Sequence, residues 1–553
     1  MYEMKKTNVE QRVHILDCTL RDGAYIIDAH FGAPALKGII KRMQDANIEI
    51  IECGWLKNQP YEAGTSFFHV PGDIEPYILE KKDGCIYTVM IDWDRYDLDK
   101  LPVCDHKTID AVRVVFPYGK HHEGIRVGKH IEDKGYDVFY QAANTLAYSD
   151  ADLRELAAEV NQTKARAISI VDTFGAMYHK DLERIMHVLD EELRDDIAIG
   201  FHSHNNQQLS FALSINFVEQ MLASSDRTII VDASLCGMGR GAGNATTELI
   251  ANYLNRNQLG HYDMDMIMDA IDTYMNPFQA KYTWGYSTPY FIAGMYCCHV
   301  NNIAYLIKNH RTSAKNMRNI IESLNPDDRK KYDYDLLEQK YIENQSRKVD
   351  DERILDEIQN AINGRKVLLI APGKSVNDKK KAIWSYIREN HPVIIDVNAV
   401  TVHYPVDYLF LINKTRYDYA KDAYAAVFHN TKKILLSNIK SDPDRDELIV
   451  RFDRMMKTGW EHFDNAVIYC LRLLALLNVR DIAIAGFDEF EEGYNASYAD
   501  EALPTLQGND SVEQINRELG QMFDEFCLEN KENISIEFVT ESAFGKESGG
   551  IIQ

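Results

Sequence analysis

The chain has 553 residues, 61 Lys and Arg against 85 Asp and Glu, a formal net charge of −24 and 45% hydrophobic residues. That length holds two or three domains with sizeable cores, and the acidic balance excludes a general binder of nucleic acid or anionic membrane, because a polyanion would be repelled. Nine cysteines make no disulfide framework in so long a chain, no apolar run reaches membrane-spanning length, and Met1–Arg12 lacks a secretory apolar core, so a cytoplasmic protein without a membrane partner is expected.

In chain order, residues 13 to about 250 alternate short β-rich apolar runs with longer amphipathic segments. The runs are His14–Cys18, Ile48–Cys53, Cys85–Ile91, Ala111–Phe116, Asp137–Gln141, Ala167–Asp172, Ile197–His202 and Ile229–Ser234. Helical periodicity fills intervening stretches such as Ala151–Asn161, Lys180–Leu193 and Gln207–Ser224. Strand–helix alternation predicts parallel pairing through right-handed crossovers. Eight such strands fit one closed (β/α)8 TIM barrel over residues 1–257, with an open doubly wound sheet as the alternative.

Residues 258–350 read as a helical extension and linker. Met264, Ile267, Met268 and Ile271 keep helical spacing, Tyr290–Lys308 is apolar, aromatic and helix-like, and Asn325–Arg353 is heavily charged. A Rossmann-like α/β domain is expected over 364–553, with strands Lys366–Ile370, Val393–Val397, Tyr408–Ile412, Ile434–Leu436 and Ile482–Ala485 and an apolar helix Ala466–Leu477.

Three segments of the first domain carry chemistry. The first run leads into a turn bearing Arg21, Asp22 and Gly23; the seventh ends in His202-Ser203-His204; the eighth is followed by the glycine-rich loop Cys236–Asn244. Barrel strands present their carboxyl ends to one face, and residues two apart on a strand point the same way. Both imidazoles and the Asp22 carboxylate can therefore reach one ion. That donor set suits manganese, cobalt, zinc or iron, and magnesium with more water. A site open on one side can take the keto-carboxylate of a 2-oxo acid and polarise its carbonyl. Arg21 can then meet the oxygen on which enolate charge builds. Asn244 adds an amide oxygen to the metal or fixes a water, and Arg240 of the same loop is a candidate substrate contact.

The motifs Asp17-Cys18-Thr19-Leu20-Arg21-Asp22-Gly23, Phe201-His202-Ser203-His204-Asn205 and Gly239-Arg240-Gly241-Ala242-Gly243-Asn244 together make residues 13 to about 255 resemble the metal-dependent pyruvate-aldolase and acyl-transferase barrels. That superfamily includes 4-hydroxy-2-oxovalerate aldolase, hydroxymethylglutaryl-CoA lyase and isopropylmalate synthase. The resemblance implies that Asp22, His202 and His204 are metal ligands, with Asn244 near the metal, and that Arg21 stabilises the enolate. It implies that Asp172, in Val171-Asp172-Thr173-Phe174-Gly175, shapes the pocket, that Asn144 at the fifth strand end touches substrate, and that Tyr286 approaches the site. The aldolases place a histidine base two residues after the glycine of the first motif, and acyl-CoA-condensing members usually place glutamate and glutamine after that glycine. This chain has Ala24 and Tyr25. Tyr25 is then either an acid–base group or an aromatic wall; His30 is a second candidate base.

In the second domain, Pro372-Gly373-Lys374-Ser375 follows a strand but is no phosphate loop, because Leu368 stands where the motif needs its first glycine. A strand, glycine turn and helix can still hold a phosphate on backbone amides, which makes Gly373, Lys374 and Ser375 cofactor-binding candidates. With Asp396-Val397-Asn398 and Ala483-Ile484-Ala485-Gly486-Phe487-Asp488, residues 364–495 resemble the domain of archaeal-type 6-hydroxymethylpterin pyrophosphokinases, motility accessory factors and some bacterial sialyltransferases. That implies a nucleotide or nucleotide-sugar ligand. The expected protein is a manganese-dependent aldolase-type lyase and homo-oligomer acting on a 2-oxo acid with an aldehyde or sugar-derived partner. The alternatives are a condensing acyltransferase, or an inactive barrel in a nucleotide-sugar-binding scaffold.

Overall fold

The eight apolar runs become eight parallel strands: β1 (Val13–Asp17), β2 (Ile50–Leu56), β3 (Ile86–Asp92), β4 (Ala111–Phe116), β5 (Asp137–Ala142), β6 (Ala167–Asp172), β7 (Ala198–Ser203) and β8 (Ile229–Ala233). Each pairs with its sequence neighbour, and β8 returns to β1, which also pairs with β2, so the sheet closes into a TIM barrel. The computed structural model describes residues 12–545 apart from 311, 346–348, 363, 442–445, 458, 461–464, 494 and 506–510, so nearly all of Met1–Arg12 and part of Asn325–Arg353 lie outside the described residues. The chain divides into two units, Met1–Val300 and Asn301–Gln553.

Period-two alternation explains the barrel interior. Ile50, Ala111, Phe139, Ala167, Ala198 and Ile230, with Leu16 and Cys18, form one buried apolar cluster. Two residues further along the strands, on the same face, stand Glu52, Arg113, Gln141, Ser169, Gly200 and Asp232. The bore therefore changes from an apolar plug to a charged layer within one repeat. The opposite strand faces meet the helices Ala33–Asp45, His121–Asp133, Asp150–Val160, His179–Glu192, Ser210–Ser224 and Thr247–Arg256, whose apolar stripes join the large core around Val13, Leu36 and Phe217.

Two local expectations change. Arg21 and Asp22 sit not on an open turn but on one helical turn, Thr19–Asp22, running on into a 3-10 turn, Gly23–Tyr25. The Thr19 amide donates to Asp17 Oδ1 at 3.0 Å and the Asp22 amide to the Cys18 carbonyl at 2.8 Å, which folds the chain back at once. The apolar stretch Tyr290–Lys308 is not one helix. It breaks between Thr288–Met295 and Val300–His310, where Cys297 takes a φ of 48° that no helix interior allows.

The second unit holds an all-parallel seven-stranded α/β sheet. Its strands are β9 (Val367–Ile370), β10 (Val393–Val397), β11 (Tyr408–Leu411), β12 (Lys432–Leu436), β13 (Glu447–Val450), β14 (Asp481–Ala485) and β15 (Ser535–Phe538). The order is β13-β12-β11-β10-β9-β14-β15, which reverses direction between β9 and β14. Among the described residues no helix is long and apolar enough to cross a membrane.

Candidate active site

Asp22, His202 and His204 meet at the carboxyl ends of β1 and β7. Each offers a ligand atom within 4.8 Å of the others, and all three are buried. The His202 and His204 rings lie 5.1 Å apart at 87°. His202 belongs to β7, whereas His204 stands one residue past it and forms an isolated bridge with Asn244. The glycine-rich loop is thus tied directly to the seventh strand end.

Both imidazoles are oriented from behind. His202 Nδ1 lies 3.0 Å from Asp232 Oδ2, and His204 Nδ1 lies 3.3 Å from the Gly243 carbonyl oxygen. Carboxylate and carbonyl oxygens only accept, so each Nδ1 donates in these bonds, and His204 Nδ1 also lies 3.9 Å from Asp22 Oδ2. Burial pushes the His204 ring down to about 4, outweighing the pull of Asp22, so it is neutral near pH 7. Burial opposes ionisation of Asp22, but Arg21, His204, His202 and Arg240 together hold its carboxyl well below the usual range.

Arg21 is 4% exposed and locked in place. Its Nε donates to Glu52 Oε2 at 2.7 Å, its Nη1 donates to Asp22 Oδ1 at 2.7 Å, and its carbonyl accepts from Trp55 Nε1 at 3.1 Å. Glu52 Oε2 also accepts from Arg113 Nη1 at 2.9 Å, and Arg113 Nη2 donates to Asp232 and, at 2.8 Å, to Gln141 Oε1. One buried chain of opposite charges therefore runs Asp22–Arg21–Glu52–Arg113–Asp232 and ends on the His202 ring. Glu52, Arg113, Gln141 and Asp232 were not singled out from the sequence. Their signal was there: each interrupts an apolar strand at a position that faces the bore.

Asn244 Nδ2 donates to Asp22 Oδ2 at 2.7 Å, while its Oδ1 is buried and without a partner. Gly239 clears the space beside them: a Cβ there would lie 2.4 Å from Asn244 Nδ2 and 2.5 Å from Asp22 Oδ2. Two imidazoles, an ionised carboxylate, an orphaned amide oxygen and this cleared cradle fit one divalent ion. Among the described residues a second metal-capable cluster, His121, His122, Glu155 and Glu159, lies on the outer helices, and only its His121 is buried.

The remaining candidates are distributed around this centre. Tyr25 is 39% exposed, makes an edge contact with Trp55 at 6.0 Å and carries the Arg240 guanidinium 3.9 Å from its ring centre. Desolvation raises its phenol above the ordinary tyrosine range while Arg240 opposes, which leaves it protonated at neutral pH. Asp172 is buried with its carboxylate accepting the amides of Ala176 at 2.8 Å and Met177 at 3.1 Å, and burial pushes it up to about 7. Its carbonyl accepts the His204 amide, so it shapes the loop that carries His204. Asn144 lies just past β5 with a φ of 55°, its amide donating to Thr173 Oγ1 at 2.6 Å. Tyr286 is 57% exposed and lines a cavity of about 410 Å³ shared with Asn244, Trp284 and Cys236. His30 points to the surface and pairs with Glu62 at 3.6 Å.

In the second unit, Lys374 Nζ pairs with Glu491 at 3.4 Å, and Ser375 Oγ donates to Asp488 Oδ1 at 2.6 Å. Gly373 alone of that trio lines the unit's cavity.

Residues 122–274 match the HMGL-like family model. The chain is 25% identical over 281 residues to an oxaloacetate decarboxylase of Mycobacterium tuberculosis, a match covering 48% of this chain and 77% of that protein. It is 28% identical over 272 residues to a 4-hydroxy-2-oxovalerate aldolase of Thermomicrobium roseum, covering 48% of this chain and 72% of that protein. Among solved structures, the N-terminal domain of a candidate aldolase from Bacteroides vulgatus is 24% identical with a TM-score of 0.46, covering 52% of this chain and 95% of that one. Part of the barrel therefore resembles an HMGL-like domain, and these comparisons support a carbon–carbon lyase enzyme.

Proposed function

We propose that the barrel is a divalent-metal-dependent aldolase-type lyase that makes or breaks a carbon–carbon bond of a 2-oxo acid through a pyruvate enolate. The observation that carries this is the buried convergence of Asp22, His202 and His204, with Arg21 bonded to the same aspartate. The named activities of the two relatives support the reaction class. In this reading Asp22, His202, His204 and Asn244 hold the ion, manganese first, with magnesium, cobalt or zinc as substitutes. When bound, the ion supplies Lewis acidity towards the carbonyl of a chelating 2-oxo acid.

Arg21 does the complementary work. Two of its nitrogens are fixed on Glu52 and Asp22, so the guanidinium plane is set and Nη2 is the donor left for an oxygen gaining negative charge. In cleavage, the 4-hydroxyl of a 4-hydroxy-2-oxo acid loses its proton and the C3–C4 bond breaks. C4 leaves with its oxygen as an aldehyde, and the electron pair remains on C3 as pyruvate enolate, which takes a proton to become pyruvate. Condensation is the same path reversed. In condensation the Tyr25 phenol, protonated at neutral pH, donates its proton to the new alkoxide and is left as phenolate; in cleavage the phenolate takes the 4-hydroxyl proton back. In this reading Arg240 and Asn144 contact the substrate beyond the reacting carbons. All nine cysteines are thiols, which supports a cytoplasmic setting.

The test is pyruvate release from 4-hydroxy-2-oxo acids and oxaloacetate, and pyruvate consumption with a series of aldehydes including sugar-derived ones, each with added manganese. Turnover in any arm that is lost in Arg21→Lys supports the assignment. Absence of turnover in every arm by the metal-loaded protein overturns it.

A further inference from the structure

We propose that the second unit contains its own small-molecule site, at the point where the order of its sheet reverses, and that this site takes a phosphate ester of a hydroxylated body the size of a sugar phosphate. A cavity of about 180 Å³ opens at the carboxyl ends of the strands, lined by Gly373 after β9, Asn398 after β10, Arg416 beyond β11, Asn438 after β12 and Gly486 after β14. In open parallel sheets such a reversal is where the loops part and a crevice forms. Gly373 is required there. A Cβ at that position would lie 2.4 Å from the Gly486 carbonyl oxygen and 2.5 Å from the Asp488 carboxyl, so glycine lets the β9 and β14 loops meet as the floor.

The lining is arranged for an anion. Three helices of eight residues or more begin at the cavity: Ala314–Ser323, Lys414–Ala423 and Ala466–Leu476. They are capped by Ser313, Asn413 and Asn465, which also line it, so three positive helix ends converge on one volume. Arg416 is 6% exposed, held by the Asn398 carbonyl at 3.1 Å and the Thr505 hydroxyl at 3.2 Å, with the Tyr498 ring 5.1 Å away. Asp488, the one carboxylate on the described lining, is already used: it accepts the Ser375 amide at 2.8 Å and the Ser375 hydroxyl at 2.6 Å.

An independent observation gives the rest of the ligand. Gln345, 4% exposed and on the lining, has an Oε1 without a hydrogen-bond partner, and the buried Asn438 Oδ1 is likewise without one. Buried amide oxygens are almost always satisfied, and these two call for donors. A bare phosphate supplies acceptors to the helix ends and to Arg416, but its one or two P–OH donors all sit on the anion itself. A phosphorylated polyol supplies both. The volume suits a monophosphate ester rather than a dinucleotide.

The experiment is isothermal titration of the full chain at low salt with ribose 5-phosphate, glucose 6-phosphate, uridine monophosphate, the free sugars and inorganic phosphate. The inference expects a sugar phosphate to bind about tenfold or more tighter than both its free sugar and inorganic phosphate. Arg416→Gln should weaken that binding about tenfold and Gln345→Leu several-fold, with an unchanged thermal melt of the full chain as evidence of folding. Binding no tighter than inorganic phosphate, preference for the nucleotide over every sugar phosphate, or insensitivity to both substitutions overturns it. The same titration in a His202→Ala background separates this site from the barrel: binding there is expected to be unaltered whether or not the barrel turns over a 2-oxo acid.

Discussion

His202 and Asp232 are joined by a 3.0 Å bond from Nδ1 to Oδ2, and that bond decides which ring nitrogen is left for an ion. Asp232 is itself held by Arg113, fully buried in the bore. Asp232→Asn keeps the shape but no longer fixes the tautomer. Loss of such a carboxylate behind a ligating histidine typically costs about 10- to 100-fold in metal affinity, and a chelator-competition titration of the variant against the parent reads that difference.

Arg21→Lys should retain the ion and lose most turnover. A lysine ammonium cannot bridge Glu52 and Asp22 while presenting a third donor, as the guanidinium does through Nε, Nη1 and Nη2. The expected fall in kcat is on the order of 10²–10³, measured beside metal content by elemental analysis. A matching loss of metal would make Arg21 a structural partner of Asp22 only.

Tyr25→Phe removes the phenol and leaves the ring under Arg240. If the hydroxyl moves a proton, kcat falls by about 10²–10⁴ and the alkaline limb of the pH–rate profile changes. Unchanged rates across pH would make the residue a wall of the pocket.

The metal-free barrel should lose stability as pH rises through neutrality. Burial raises Asp17 to about 6, Glu49 to about 7 and Asp172 to about 7, so over that window the folded chain binds more protons than the unfolded one. His204, lowered by burial to about 4, and His299, lowered to about 3, act in the opposite sense up to the ordinary imidazole range, so the net decline is confined to about pH 6.5 to 7 and flattens above. Asp22 and Asp232 are lowered and act in the opposite sense, costing stability only as pH falls below the ordinary carboxylate range. Thermal melts of the apoprotein between pH 5 and 8 check this, and Glu49→Gln, which keeps an acceptor for the Ile15 amide, should reduce the slope.

Much of the barrel was legible because its strands are buried on both faces and read as unbroken apolar runs; Ala111–Phe116 and Ala167–Asp172 fall on their expected bounds. The grouping of Asp22, His202 and His204 was legible for a similar reason, since all three stand where strands end. The supporting layer was not. Glu52, Arg113 and Asp232 become meaningful only once the sheet closes and charges from distant strands face one another across the bore. The strands β13 and β15 also went unseen, because Glu447–Val450 and Ser535–Phe538 are only four residues long and alternate in burial. The partners of Ser375, a cofactor-binding candidate by its strand and glycine turn, were not legible either: its hydroxyl bonds to Asp488 and Thr540, which lie far along the chain.

The most direct measurement is the metal content of the dialysed full-length protein and of its Asp22→Ala, His202→Ala and His204→Ala variants. One equivalent of divalent ion per chain in the parent, absent from all three variants along with pyruvate turnover, is the predicted result. A full equivalent retained by the variants, or a parent that catalyses the reaction unchanged after every trace of ion has been stripped, would contradict it.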